Sequence, residues 1–85
     1  MYYVYVLRNM KDGRFHIGHT RSLNRSMGIH NGRRVSATMG ELPLTVVYFE
    51  ACCDKRDALK RERYLRGVYG RRFLENRLRF YLSML

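Results

Sequence analysis

Tyr2-Tyr3-Val4-Tyr5-Val6-Leu7, then Asn9-Met10-Lys11-Asp12-Gly13, then Arg14-Phe15-His16-Ile17-Gly18-His19-Thr20, is the stretch that decides how this chain folds. The first run is β-branched and aromatic at both alternating positions, as in a strand covered on both faces. Asp12-Gly13 is the strongest turn signal nearby, so Arg14 to Thr20 reads as the returning strand of a hairpin. Alternation then places His16 and His19 on opposite faces of that strand.

Working outward, Ser22 is a helix N-cap, followed by Leu23, Met27 and His30 at helical spacing. Asn31-Gly32 suits the end of that helix, where a left-handed residue closes the last turn. Arg33 to Glu41 is polar, basic and rich in small residues, and reads as a loop. Leu44-Thr45-Val46-Val47-Tyr48-Phe49 is a third strand, with Pro43 at its edge. Asp54 and Asp57 open the next helix in a capping-box-like arrangement that also suits the positive end of its dipole. That helix runs to about Arg66, where Gly67 or Gly70 interrupts it. Arg71 to Leu82 reads as a last helix, with Phe73, Leu74, Leu78 and Tyr81 as its buried stripe. The order β-β-α-β-α-α predicts an α+β fold, a small three-stranded antiparallel sheet flanked by helices.

The 85 residues predict one domain over 1–85, and the 46% apolar content excludes a disordered tail. No apolar run approaches the ~20 residues of a membrane span. The start, Met1-Tyr2-Tyr3-Val4, lacks the features of a signal peptide, so the expected location is cytoplasmic. Seventeen Lys and Arg against seven Asp and Glu give a formal net charge of +10. Such an excess favours a polyanionic partner, because bound phosphates release counterions. Simple solubility or a place beside the ribosome are the bland alternatives. Cys52 and Cys53 are adjacent and form neither an unstrained bridge nor a zinc site, so they read as small buried residues leading into a helix.

With only seven carboxylates, each can be weighed. Asp12 belongs to the turn, Glu41 to the loop, Asp54 and Asp57 to the helix start, and Glu50 closes a strand. Glu75 lies among Arg71, Arg72 and Arg79, where solvent-facing ion pairs are the ordinary explanation. Glu62 differs: it shares a helical stripe with Ala58, Leu65 and Tyr69 that faces the core. A buried carboxylate needs a cationic partner or a metal. Position alone leaves both readings open, the first as a salt bridge to Arg66. Spacing argues against a zinc site built from His16, His19 and His30.

Tyr3-Val4-Tyr5 and Phe15-His16-Ile17-Gly18 resemble the two half-motifs that name the GIY-YIG nuclease family. The run His19 to Asn31 resembles the helix that follows them, and Asp57-Ala58-Leu59-Lys60-Arg61-Glu62 the later helix carrying a metal-binding glutamate. Short stand-alone bacterial members look most similar. The resemblance implies that Tyr5 activates the attacking water or assists proton transfer. It implies that Glu62 holds one divalent cation, Mg2+ or Mn2+, and that His30 matches a histidine of several members. Asn76 matches a late phosphate-contacting asparagine, and Tyr3, Arg21, Arg25, Arg33 and Arg34 complete the expected nucleic-acid contacts. The implied reaction is hydrolysis of a phosphodiester in nucleic acid, DNA rather than RNA, single-stranded DNA included.

Two departures stand out. His16 replaces the second motif's tyrosine and can still exchange a proton near neutral pH. Ser26 occupies the usual position of the catalytic arginine, and loss of one such electrostatic donor commonly costs ~10²–10³ in rate. An engineered change, a natural loss of activity, or rescue by Arg21, Arg25 or a loop arginine would each explain it. Three functions follow: a metal-dependent endonuclease with activity weakened or abolished by Ser26, a catalytically inactive DNA- or RNA-binding module on the same fold, and a ribosomal or structural RNA-binding protein. The apolar end at Met84-Leu85 leaves a dimer open.

Overall fold

The computed structural model describes residues 1–23 and 44–85. Among these residues three strands, β1 (Tyr2–Asn9), β2 (Phe15–Thr20) and β3 (Leu44–Cys52), precede three helices, α1 (Lys55–Arg66), α2 (Val68–Arg77) and α3 (Arg79–Ser83). The strands form one antiparallel sheet in the order β2-β1-β3, so β1 is central and β2 is an edge. The α+β class and the antiparallel sheet are as the sequence predicts. The helix expected between β2 and β3 lies, beyond Leu23, outside the described residues, as do Ser26, His30 and the loop from Arg33 to Glu41.

The hairpin between β1 and β2 is closed by Asn9, whose carbonyl accepts from Gly13 N at 2.7 Å and whose side chain accepts from Lys11 N at 2.8 Å. Gly13 takes a φ of +77°, a conformation that favours glycine and explains the Asp-Gly signal. Across the hairpin Tyr5 faces Gly18, Leu7 faces His16, and Val4 faces His19.

β1 is covered on both sides. Val4 and Val6 pack with Ala58, Leu65 and Leu74 on the helical face, all of them buried. Leu7 and Leu44, with Tyr5, Leu23 and Val46, form a second cluster on the opposite face. β3 serves both clusters because its pairing with β1 shifts between Val6 and Leu7: Val6 faces Tyr48, and Leu7 faces Val46. The extra residue, Val47, joins Tyr48 against the helices, whereas Val46 and Leu44 turn to the other side.

α1 begins as expected. Asp54 is its N-cap and accepts from Arg56 N at 2.8 Å, and Gly67 ends it. Ala58, Glu62 and Leu65 form its buried stripe. Three expectations are corrected. Tyr69 does not extend that stripe: it is 71% exposed, because the chain restarts as α2 immediately after Gly67 and loses phase. Of the two glycines expected to interrupt the helix, Gly67 does so, and Gly70 is buried inside α2 against the Tyr64–Leu65 backbone. The last helix is two, broken at Leu78 (φ −105°, ψ 20°), and of its expected stripe only Leu74 is fully buried. Cys52 closes β3 half-buried, and Cys53 is exposed. Among the described residues no helix is long and apolar enough to cross a membrane.

Candidate active site

Glu62 sits on the inward face of α1 with its side chain 9% exposed. Its two oxygens have different partners. Oε1 lies 2.7 Å from His19 Nδ1, and Oε2 lies 2.6 Å from Arg66 Nη2. An ionised carboxylate only accepts, so His19 is the donor in the first contact. Arg66 Nη2 also donates to the Ile17 carbonyl of β2 at 3.0 Å, which ties the end of α1 to the sheet edge. This ion pair is the arginine partner that helical spacing makes available to Glu62.

Tyr5 approaches the same edge from the opposite face of the sheet. Its ring crosses Gly18 so closely that a Cβ there would collide with the Tyr5 hydroxyl and Cζ. Glycine at position 18 is therefore a matter of space for the phenol. Burial raises the Tyr5 pKa above its ordinary 10.0, and the Glu62 charge raises it further, against a lowering by Arg66. The phenol thus keeps its proton across the neutral range. It also stands within electrostatic reach of both Glu62 and Arg66.

His16 and Arg66 both line a cavity of about 320 Å³, and the place of His16 opposite Leu7 puts its side chain on the face of the sheet away from α1. The remaining expected contacts have other neighbours. Tyr3, on the Tyr5 face, meets Phe49 edge to face at 6.0 Å. Arg21 is exposed, its guanidinium 5.3 Å over the Tyr2 ring, and Asn76 is exposed on α2. None of these three joins the hydrogen-bonded group at Glu62. Arg25, Ser26, His30, Arg33 and Arg34 lie outside the described residues.

His19 was not among the expected site residues, yet it holds one Glu62 oxygen. The signal was available in the hairpin: a residue opposite Val4 shares the helical face, which α1 covers. The opposed faces expected of His16 and His19 are observed.

A single carboxylate, screened from water and bordered by one imidazole, can supply one oxygen ligand to a divalent cation. Mg2+ commonly takes one or two carboxylates, with water and substrate phosphate completing its shell. Glu62 fits that role once Oε2 is released by Arg66, whose side chain is 61% exposed. Among the described residues no group of three or more His, Cys, Asp or Glu side chains converges, so an all-protein metal cage does not form there.

Comparison with known proteins agrees with this architecture. A family model described as the GIY-YIG catalytic domain matches residues 1–79. A UPF0213 protein of Streptococcus pneumoniae is 34% identical over 65 residues, covering 75% of this chain and 65% of that protein. A UPF0213 protein of Clostridium perfringens is 39% identical over 69 residues, covering 80% of this chain and 73% of the relative. One of Lacticaseibacillus paracasei is 39% identical over 62 residues, covering 72% and 68%. The chain thus spans just under two thirds of the pneumococcal relative's length. No solved structure matches the chain significantly.

Proposed function

This chain belongs to the GIY-YIG catalytic domain family, a family of nucleases, and from that premise we propose that it is an endonuclease hydrolysing phosphodiester bonds in DNA with one divalent cation, Mg2+ or Mn2+, held by Glu62. The observation that carries the reading is the near-buried Glu62 carboxylate, turned toward the β2 edge that the Tyr5 phenol reaches across Gly18. The location that goes with this reading is cytoplasmic.

The residues divide the work by chemistry. Glu62 holds the cation, and the cation when bound polarises the phosphate and offsets the charge on the leaving oxygen. His19 fixes the orientation of Glu62 through Oε1, which leaves Oε2 as the oxygen to be exchanged. Tyr5, kept protonated, orients the attacking water with its oxygen and donates toward the phosphate. His16, at the edge of the adjoining cavity, is placed to take or return a proton. Arg66, released from Glu62, presents its guanidinium to the phosphate.

Ser26 stands where the family's arginine clamp is expected, so this chain cuts slowly or only binds. That substitution is the observation favouring a second reading, a DNA- or RNA-binding module that keeps the fold and charge without cleaving. One experiment decides between them. The chain and its Ser26→Arg form are incubated with labelled single-stranded DNA, duplex DNA and RNA, in Mg2+, Mn2+ or chelator. Cleavage that requires metal and disappears in Glu62→Gln supports the endonuclease. Binding without cleavage in both forms supports the binding module and overturns the endonuclease.

A further inference from the structure

The cavity that His16 lines lies where the start of β2 meets the end of α1 and the first turn of α2. Its walls are Phe15, His16, Ile17, Leu65, Arg66 and Arg71. Two arginines stand against an apolar back, and among the described residues no carboxylate lines it. Its volume, about 320 Å³, falls at the lower end of the range in which small ligands are held.

Both arginines are oriented before any ligand arrives. The Arg71 guanidinium lies 4.4 Å over the Phe15 ring, and its Nε donates to Glu75 Oε2 at 3.1 Å on the solvent side. Arg66 is fixed through Nη2 to Ile17 and Glu62. A guanidinium carries five N–H donors, so each of these contacts leaves donors for a further acceptor. A planar fork stacked on an aromatic ring is well suited to bidentate binding of a phosphate. Arg66 belongs to both places at once, which puts the cavity directly beside Glu62.

We propose that this cavity is a phosphate subsite for the nucleic-acid strand, in which Arg71 and Arg66 bind the phosphate of a nucleotide neighbouring the bond to be cut. Its sugar rests on Phe15, Ile17 and Leu65. The ligand's identity rests on the nucleic-acid reading above, whereas the site itself rests on the cavity, the stacked Arg71 and the lining. Arg71 is the informative residue, because its partners are Phe15 and Glu75 rather than Glu62 or Tyr5. Glu75 competes with the phosphate for Arg71, and its removal should therefore strengthen binding.

The test measures equilibrium binding of a fluorescent single-stranded oligonucleotide, with and without a terminal phosphate, in chelator and over a series of salt concentrations. Arg71→Gln is compared with Arg56→Gln, an arginine tied to Asp54 at the far end of α1. Glu75→Gln is compared with Asp57→Asn, a like charge removed elsewhere. The subsite predicts that Arg71→Gln weakens binding about tenfold and lowers the salt slope by about one, more than Arg56→Gln does. It also predicts that Glu75→Gln binds more tightly than Asp57→Asn, a gain that misfolding cannot imitate. Losses confined to the phosphorylated oligonucleotide assign the subsite to a terminal phosphate, and equal losses assign it to an internal one. Equal effects within both pairs of variants overturn the subsite while leaving the endonuclease reading intact. An unaltered chain that binds no oligonucleotide overturns both.

Discussion

Two carboxylates, Glu50 and Glu62, each pair with an arginine of α1 beside a tyrosine, at opposite edges of one sheet, yet they are held differently. Glu50 is gripped by Arg61 through Nε and Nη2, both at 2.9 Å, and accepts from the Tyr48 hydroxyl at 2.8 Å. Arg61 lies over the rings of Phe73 and Tyr64, at 4.6 and 5.1 Å. The Arg61 guanidinium draws the Glu50 pKa below its ordinary 4.5, and Tyr48's own pKa is raised by burial and by Glu50. Glu62 has one contact per oxygen, and the arginine on Oε2 is mostly in water. The first pair is a rivet, whereas the second can exchange a partner. Contact geometry and the exposure of the arginine, more than residue type, separate a structural carboxylate from one open to a ligand.

The largest expected contrast is in activity. In the Ser26→Arg background, Glu62→Gln should lower the cleavage rate by ~10²–10³, and Glu50→Gln should leave the rate per folded molecule unchanged. Equal losses would erase the distinction. Stability should show the reverse order in denaturant melts. Glu50→Gln should cost about 1–3 kcal/mol by leaving the Arg61 charge uncompensated among aromatic rings, while Glu62→Gln, whose arginine is largely in solvent, should cost about 1 kcal/mol or less. A third contrast is in pH. Because the folded Glu50 pKa is depressed, its contribution is present above 4.5 and is lost as pH falls through the lower folded value. The difference in melting temperature between the chain and Glu50→Gln should therefore narrow on acidification. The smallest effect is in cation affinity. Arg66→Ala should tighten Mn2+ binding a few-fold, read by the Mn2+ resonance signal, since it removes the competitor for Oε2. Weaker binding would show that Arg66 assists the cation.

Much of this was readable from local pattern. The hairpin followed from Asp12-Gly13, the limits of α1 from Asp54 and Gly67, and the inward turn of Glu62 from its spacing to Ala58 and Leu65. What escaped depends on tertiary partners. Glu50 read as the end of a strand because its arginine stands on the next element, and sequence spacing does not show that β3 and α1 bring them together. The break at Leu78 carries no glycine or proline to mark it. Alternation separated His19 from His16, but its meeting with Glu62 required the position of α1 over β2.

The shift of register at Val47 has one more consequence. Two adjacent apolar residues, Val47 and Tyr48, serve the same core, so everything before them in β3 is addressed by the opposite parity from everything after. Losing Val47 itself would leave an unbroken alternation, with Val46 and Leu44 still opposite Leu7 and Asn9 in their present places. Losing Thr45 instead would bring Leu44 into its place opposite Arg8, on the side of the sheet that the helices cover and out of the far cluster, a rearrangement larger than the loss of one side chain.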